Sequence, residues 1–192
     1  MPAAHEAASS RLFLALWPDE AVRAQLMEAR ADLAGRMDGR WIKPENLHLT
    51  LAFLGDVEQA RIDEVTRIAG ETAGAGFHLR LDRAEFWPRN GVVCLSASQI
   101  PEPLQALAAE LARGLGAAGF PLEARAFRAH LTLARRGRSR DTRLDLPTPV
   151  DWPVDAFRLV ASRLSPAEAD YRCLAAWPLQ ESEAIPEHGS VG

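Results

Sequence analysis

The chain has 192 residues and carries a net charge of −4, and 47% of its residues are hydrophobic. That is enough apolar material to pack one substantial domain or two half-sized lobes, and it excludes global disorder. The acidic balance excludes nucleic-acid coating driven by bulk charge, although a local basic groove remains compatible with it.

In chain order, residues 1–10 form a small, polar tail without the basic and apolar regions of a signal peptide. Residues 11–17 (RLFLALW) form a short apolar strand that Pro18 stops. Asp19 then caps a helix whose stripe is Val22, Leu26, Ala29 and Leu33. Gly35 and Gly39 loosen the chain, and KPEN makes a turn. A strand over 46–55 (NLHLTLAFLG) has period two: His48, Thr50 and Ala52 on one face, and Leu47, Leu49, Leu51 and Phe53 on the other. A second helix, over 57–70, carries Ile62, Val65 and Ile68 or Ala69. Strands follow over 77–87 and 91–97, then a third helix over 101–119 with Leu104, Leu107, Leu111 and Leu115 as its stripe. A strand over 129–135 (AHLTLAR) leads into an arginine-rich loop and a Pro-rich stretch at 147–153. Closing strands over about 156–164 and 171–177 precede an acidic tail at 181–192. No stretch is long and apolar enough for a bilayer span. Cys94 and Cys173 sit in apolar runs without CxxC spacing and read as buried, reduced thiols of a cytoplasmic protein.

The pentapeptide HLTLA occurs twice, at 48–52 and 130–134. A strand and a helix precede each copy over nearly equal spans, from Leu12 to His48 and from Val92 to His130, so the chain is an internal duplication. The expected fold is α+β: one bilobal domain over 11–180, with two antiparallel sheets flanking a central cleft and helices outside.

In each copy a histidine and a threonine share one strand face while leucines anchor the other. A single strand histidine is more often structural, but two equivalent His-Thr faces meeting across a cleft call for a chemical reason. Zinc ligation lacks a carboxylate or cysteine at ligand spacing, and no GxSxG elbow supports a serine hydrolase. Two imidazoles suit displacement at phosphorus, one as base and one as acid, because imidazole titrates near neutral pH. Threonine hydroxyls donate to the phosphoryl oxygens, and the scheme needs no metal or other cofactor.

From RLFLALWP through KPENLHLTLAFLG and FRAHLTLARR to SRLSPAEADYRCLAAWPL, about residues 11–179, the sequence resembles the 2H phosphoesterases, and among them the bacterial RNA 2′,3′-cyclic phosphodiesterases once called 2′-5′ RNA ligases. The resemblance implies hydrolysis of a terminal 2′,3′-cyclic phosphate on RNA to a 2′-phosphate, with His48 as proton donor to the 3′ oxygen and His130 as proton acceptor from water. It implies that Thr50 and Thr132 hold the phosphate, and that a reverse, 2′-5′ joining reaction is a second activity. The symmetric repeat does not itself assign acid and base.

Phe53 and Arg135 each lie five residues after a motif histidine, where relatives contact the nucleotide. Strand alternation puts both on the face away from the histidines, yet strand ends can turn into a cleft mouth. Core packing for Phe53 and a solvated charge for Arg135 are the competing readings. Arg125, Arg128, Arg135, Arg136, Arg138, Arg140 and Arg143 surround the second motif, either guiding RNA or forming a solvated loop. Tyr171 matches an aromatic position near the end of the family pattern and is assigned to strand packing, with a hydroxyl near the cleft as the competing reading; His78 is assigned a structural role. The expected partner is RNA with a cyclic-phosphate end, bound by a monomer away from membranes. An RNA-end-binding module without turnover, and a phosphodiesterase for small cyclic nucleotides, are the alternatives.

Overall fold

Eight strands lie side by side in the order Arg143–Val154, Phe77–Trp87, Val92–Ser96, Leu131–Ser139, Leu49–Glu58, Ser9–Leu16, Ala156–Leu164 and Ala169–Pro178, with Met37–Trp41 paired to Leu131–Ser139 beside this path. The computed structural model describes residues 9–72, 74–123, 126–164 and 169–180. Its elements are β1 (Ser9–Leu16), α1 (Glu20–Leu33), β2 (Met37–Trp41), β3 (Leu49–Glu58), α2 (Ile62–Glu71), β4 (Phe77–Trp87), β5 (Val92–Ser96), α3 (Glu102–Ala117), β6 (Leu131–Ser139), β7 (Arg143–Val154), β8 (Ala156–Leu164) and β9 (Ala169–Pro178). The strand order is symmetric about its middle. β6 and β3, the two repeat strands, meet there through one residue pair, Leu49 with Leu131. On each side lie a repeat strand, its motif partner (β5 or β1) and two outer strands, all antiparallel. The two antiparallel halves expected from the duplication are therefore present, and the Leu49–Leu131 pair makes them one continuous ladder.

Each helix forms on a buried apolar stripe, and α1 also has a side-chain cap. Asp19 Oδ1 accepts the backbone N–H of Val22 at 2.8 Å, and Val22, Leu26, Ala29 and Leu33 are all buried. α1 leaves the first half and lies against β7 of the second, where Gln25 exchanges two hydrogen bonds with the backbone of Asp151. α3 leaves the second half and packs against α2 and β3 of the first. Each half is thus covered partly by the other's helix. Among the described residues no helix is long and apolar enough to cross a membrane.

Several sequence-based boundaries are corrected by pairing between distant strands. The first described residues, Ser9 and Ser10, belong to β1 and not to the N-terminal tail; residues 1–8 and the tail at 181–192 lie outside the described residues. The helix expected from 57 begins at Ile62, because β3 stays paired with β1 as far as Glu58 opposite Ser9. Residues 37–41 form β2 against β6, a strand that glycine content concealed. A Cβ on Gly39 would sit 2.9 Å from the Cα of Gly137, so glycine is what lets the two strands approach. The arginine-rich loop is largely strand, with β6 reaching Ser139 and β7 starting at Arg143. The Pro-rich stretch lies in β7, an outermost strand. Pro147 and Pro149 sit where β7 carries residues 146–149 against Asp82 alone, so no ladder bond is lost to them. Cys94 is buried as expected, whereas Cys173, on the outermost strand β9, is exposed.

Candidate active site

Each motif histidine lies one residue before its strand, just outside the Leu49–Leu131 pair. Nδ1 of His48 lies 2.7 Å from the carbonyl oxygen of Asn46, and Nδ1 of His130 lies 2.7 Å from that of Arg128. A carbonyl can only accept, so both rings carry their proton on Nδ1 when neutral, and proton exchange with a ligand falls to Nε2. The repeat thus reproduces a tautomer as well as a sequence.

A β-bulge follows each threonine. Leu14 pairs with Ala52 and Ala15 with Thr50, which leaves Leu51 without an opposite residue. Val93 pairs with Ala134 and Cys94 with Thr132, which leaves Leu133 in the same situation. One extra residue reverses the facing of everything after it. Leu51 and Ala52 are consequently both buried, as are Leu133 and Ala134, and the next residue in each copy emerges. Phe53 is 37% exposed, with the Arg11 guanidinium 5.2 Å from its ring centroid, and Arg135 is exposed. Simple alternation, which assigned these two to the core side, fails in both copies for the same reason.

The result is one open cavity of about 460 Å³ between the halves. Thr50, Phe53, His130, Thr132 and Arg135 line it, five of the six candidate residues. Trp87, Asn90, Phe127 and Arg128 are among the residues of its second-half wall. His48 does not line this cavity, but Arg135 and His130 are near enough for their charges to act on it. Of the arginine cluster only Arg128 and Arg135 reach the cavity, and Arg125 falls outside the described residues. His78 is exposed on β4 opposite Pro153, away from the site. Among the described residues no three His, Cys, Asp or Glu side chains are grouped to hold a metal ion.

The two imidazoles have unlike surroundings. His48 is stacked on Trp17 (5.1 Å, 6° between planes), tilted against Phe13 (4.9 Å) and met edge-on by Tyr171 (5.2 Å). Burial pushes its pKa down to about 4; the Asn46 carbonyl opposes this, while Arg135 and His130 add to the lowering. Trp87 lies against the His130 ring, tilted, at 4.7 Å. Burial also raises the Tyr171 phenol, against the charge of Arg135, so the hydroxyl stays protonated. The Cys94 thiol, opposite Thr132 in the ladder, is pushed up to about 12 chiefly by burial and is inert as a nucleophile. Trp17, Glu85 and Trp87 lack any local signature in the sequence, and Tyr171 does more than pack a strand.

Comparison with known proteins agrees with this arrangement. A family model described as LigT like Phosphoesterase matches twice in succession, over residues 16–94 and 95–169. The chain is 34% identical over 174 residues to the RNA 2′,3′-cyclic phosphodiesterase of Escherichia coli strain K12, covering 89% of this chain and 97% of that protein. Against the enzyme of the same name from Thermus thermophilus it is 31% identical over 189 residues, covering 93% and 92%. The crystal structure of E. coli LigT complexed with 3′-AMP superposes with a TM-score of 0.82 at 33% identity, covering 90% of this chain and 99% of that one. The phosphate complex of E. coli LigT gives 0.78 at 32% identity, covering 90% and 98%.

Proposed function

The chain belongs to the LigT-like phosphoesterases, a 2H phosphoesterase family, and from that premise we propose that it hydrolyses the terminal 2′,3′-cyclic phosphate of RNA to a 2′-phosphate. The observation that carries this reading is the pair of imidazoles with identically held Nδ1 protons, each with a threonine two residues on: His130 and both threonines line one cavity between the halves, and His48 lies near enough for the charges of His130 and Arg135 to act on it. The E. coli relative bears the name of this activity, and the crystal structures of E. coli LigT include 3′-AMP and phosphate complexes.

In the proposed reaction the cyclic phosphate lies between the threonines, whose hydroxyls donate to its non-bridging oxygens as charge builds there. His130 Nε2 takes a proton from the attacking water, and the new P–O bond forms as the bond to the 3′ oxygen breaks. His48 Nε2 gives its proton to that oxygen, leaving a 3′-hydroxyl and a 2′-phosphate. Arg135 offsets the phosphate charge, and the exposed face of Phe53 stacks the base. With the 5′-hydroxyl of an RNA end attacking phosphorus in place of water, the same groups join ends through a 2′-5′ linkage as the bond to the 3′ oxygen breaks. The protein acts as a monomer in the cytoplasm on this reading.

His48→Ala and His130→Ala are each expected to lower turnover of a cyclic-phosphate oligonucleotide by roughly 10²–10⁴-fold while the fold persists. Retention of wild-type turnover by either variant overturns the two-histidine mechanism. The low pKa of His48 favours a second reading with the roles exchanged, since a neutral ring is ready to act as a base. On the first reading, the negative charge of the substrate beside the ring favours the protonated form of His48 against the burial that lowers its pKa. A substrate with sulfur at the bridging 3′ position separates the two, because a thiolate departs without a proton. The loss in His48→Ala should shrink on that substrate while the loss in His130→Ala persists, and the opposite pattern assigns the acid to His130.

A further inference from the structure

Glu85, on β4, lies beside the cavity without lining it. Its side chain is only 16% exposed, and both carboxylate oxygens are engaged. Oε1 accepts from Ser96 Oγ at 2.7 Å, and Oε2 accepts from Trp87 Nε1 at 2.9 Å and from the Arg128 guanidinium. Burial would raise its pKa, but the hydrogen bonds from Trp87 and Ser96 and the charges of Arg128 and Arg143 prevail, so the group is held ionised.

Two of these three partners flank His130. The Trp87 ring lies 4.7 Å from the imidazole, and the Arg128 guanidinium lies 4.4 Å from the Trp87 ring centroid. Arg128 also supplies the backbone carbonyl that accepts from His130 Nδ1. The indole edge, the arginine head and the chain segment holding the imidazole therefore converge on one carboxylate. His48 is oriented differently, by three rings packed around it.

We infer that Glu85 is a positioning residue: by fixing Trp87 and the Arg128 segment together, it sets the direction in which His130 presents Nε2 to the cavity. Catalysis by a positioned group tolerates little displacement, and an error of about 1 Å can cost on the order of 10²-fold in rate. The kinetic consequence rests on the proposed reaction, whereas the geometric one does not.

The test pairs steady-state kinetics on a 2′,3′-cyclic-phosphate oligonucleotide with ¹H–¹⁵N spectra of the imidazole groups, for Glu85→Ala and Glu85→Gln. Glu85→Ala should lower kcat on the order of 10²-fold, with KM little changed. The Nδ1–H signal of His130 should shift or broaden while that of His48 stays in place. Glu85→Gln keeps an acceptor for Trp87 or Ser96 and should recover much of the loss. Should the alanine variant fail to fold, Trp87→Phe keeps an aromatic ring beside His130 but removes the indole N–H that donates to Glu85, and a smaller change of the same kind is expected. Wild-type kcat with an unmoved His130 signal overturns the inference. Equal disturbance of His48 and His130 also overturns it, by showing a general structural role. A wild-type protein with no turnover of the cyclic phosphate would refute the proposed reaction, and the spectra would still decide the role of Glu85.

Discussion

At the scale of single residues, His48 is packed against Phe13, Trp17 and Tyr171, and this burial has a consequence for folding in acid. Its pKa is about 4 in the folded chain and 6.5 in its ordinary state, so between those values the unfolded chain binds a proton that the folded chain refuses. Stability contributed by neutral His48 is present above pH 6.5, declines as pH falls toward 4, and changes no further below that. The loss across the window is on the order of 3 kcal/mol. Denaturant titrations between pH 7 and pH 4 should show His48→Gln losing less stability than the wild type by about that amount; equal losses would mean that the ring is solvated. The motif residues were legible because type and spacing recur in the sequence. The cage was not, since Phe13, Trp17 and Tyr171 come from the two ends of the chain and meet only through the pairing of β1 with β3 and β8, and of β8 with β9.

Among the elements, the repeat strands show how far periodicity carries. Period two correctly anchors Leu49 and Leu131 in the core and turns Thr50 and Thr132 away from it. It then fails at Leu51 and Leu133, where each strand holds one residue more than its neighbour. Nothing in Leu-Ala announces a bulge, because the mismatch belongs to the pair of strands and not to either one. The bulge carries a testable difference for Phe53. A core phenylalanine truncated to alanine costs about 3–5 kcal/mol, whereas an exposed one costs under about 1 kcal/mol. Phe53→Ala should therefore leave the denaturation midpoint nearly unchanged and raise KM for the cyclic-phosphate oligonucleotide roughly tenfold, the magnitude of one base–aromatic stack. A large fall in stability with unchanged KM would return Phe53 to the core. The proline-rich β7 teaches the complementary lesson: proline forbids a central strand, but an outermost, bulged one accepts it.

Across the whole molecule, the two halves meet in the ladder at Leu49 and Leu131, both fully buried, while α1 and α3 each reach over to the opposite half. The cavity exists because β3 and β6 separate on leaving that pair, with a threonine beside each leucine. Leu49→Ala is expected to cost about 2–5 kcal/mol and to lower kcat, since the void lies where the halves set the spacing of the threonines. Chemical denaturation and turnover of the same variant check both effects, and a stable variant of normal kcat would remove the seam from the account. By itself the sequence determined the duplication, the α+β composition, the helices with their buried stripes, and the histidines and threonines that bear the proposed chemistry. Those are properties of residue type and local period, written into each segment separately. Tertiary structure alone decided that Phe53 and Arg135 face the cavity, that one imidazole is half-buried among aromatic rings while its twin sits beside the Trp87–Arg128–Glu85 group, and that the chain near Gly39 is a strand. The reason is physical: facing after a bulge, desolvation and ion pairing depend on what the neighbouring strand supplies, and here the neighbours are distant in the chain.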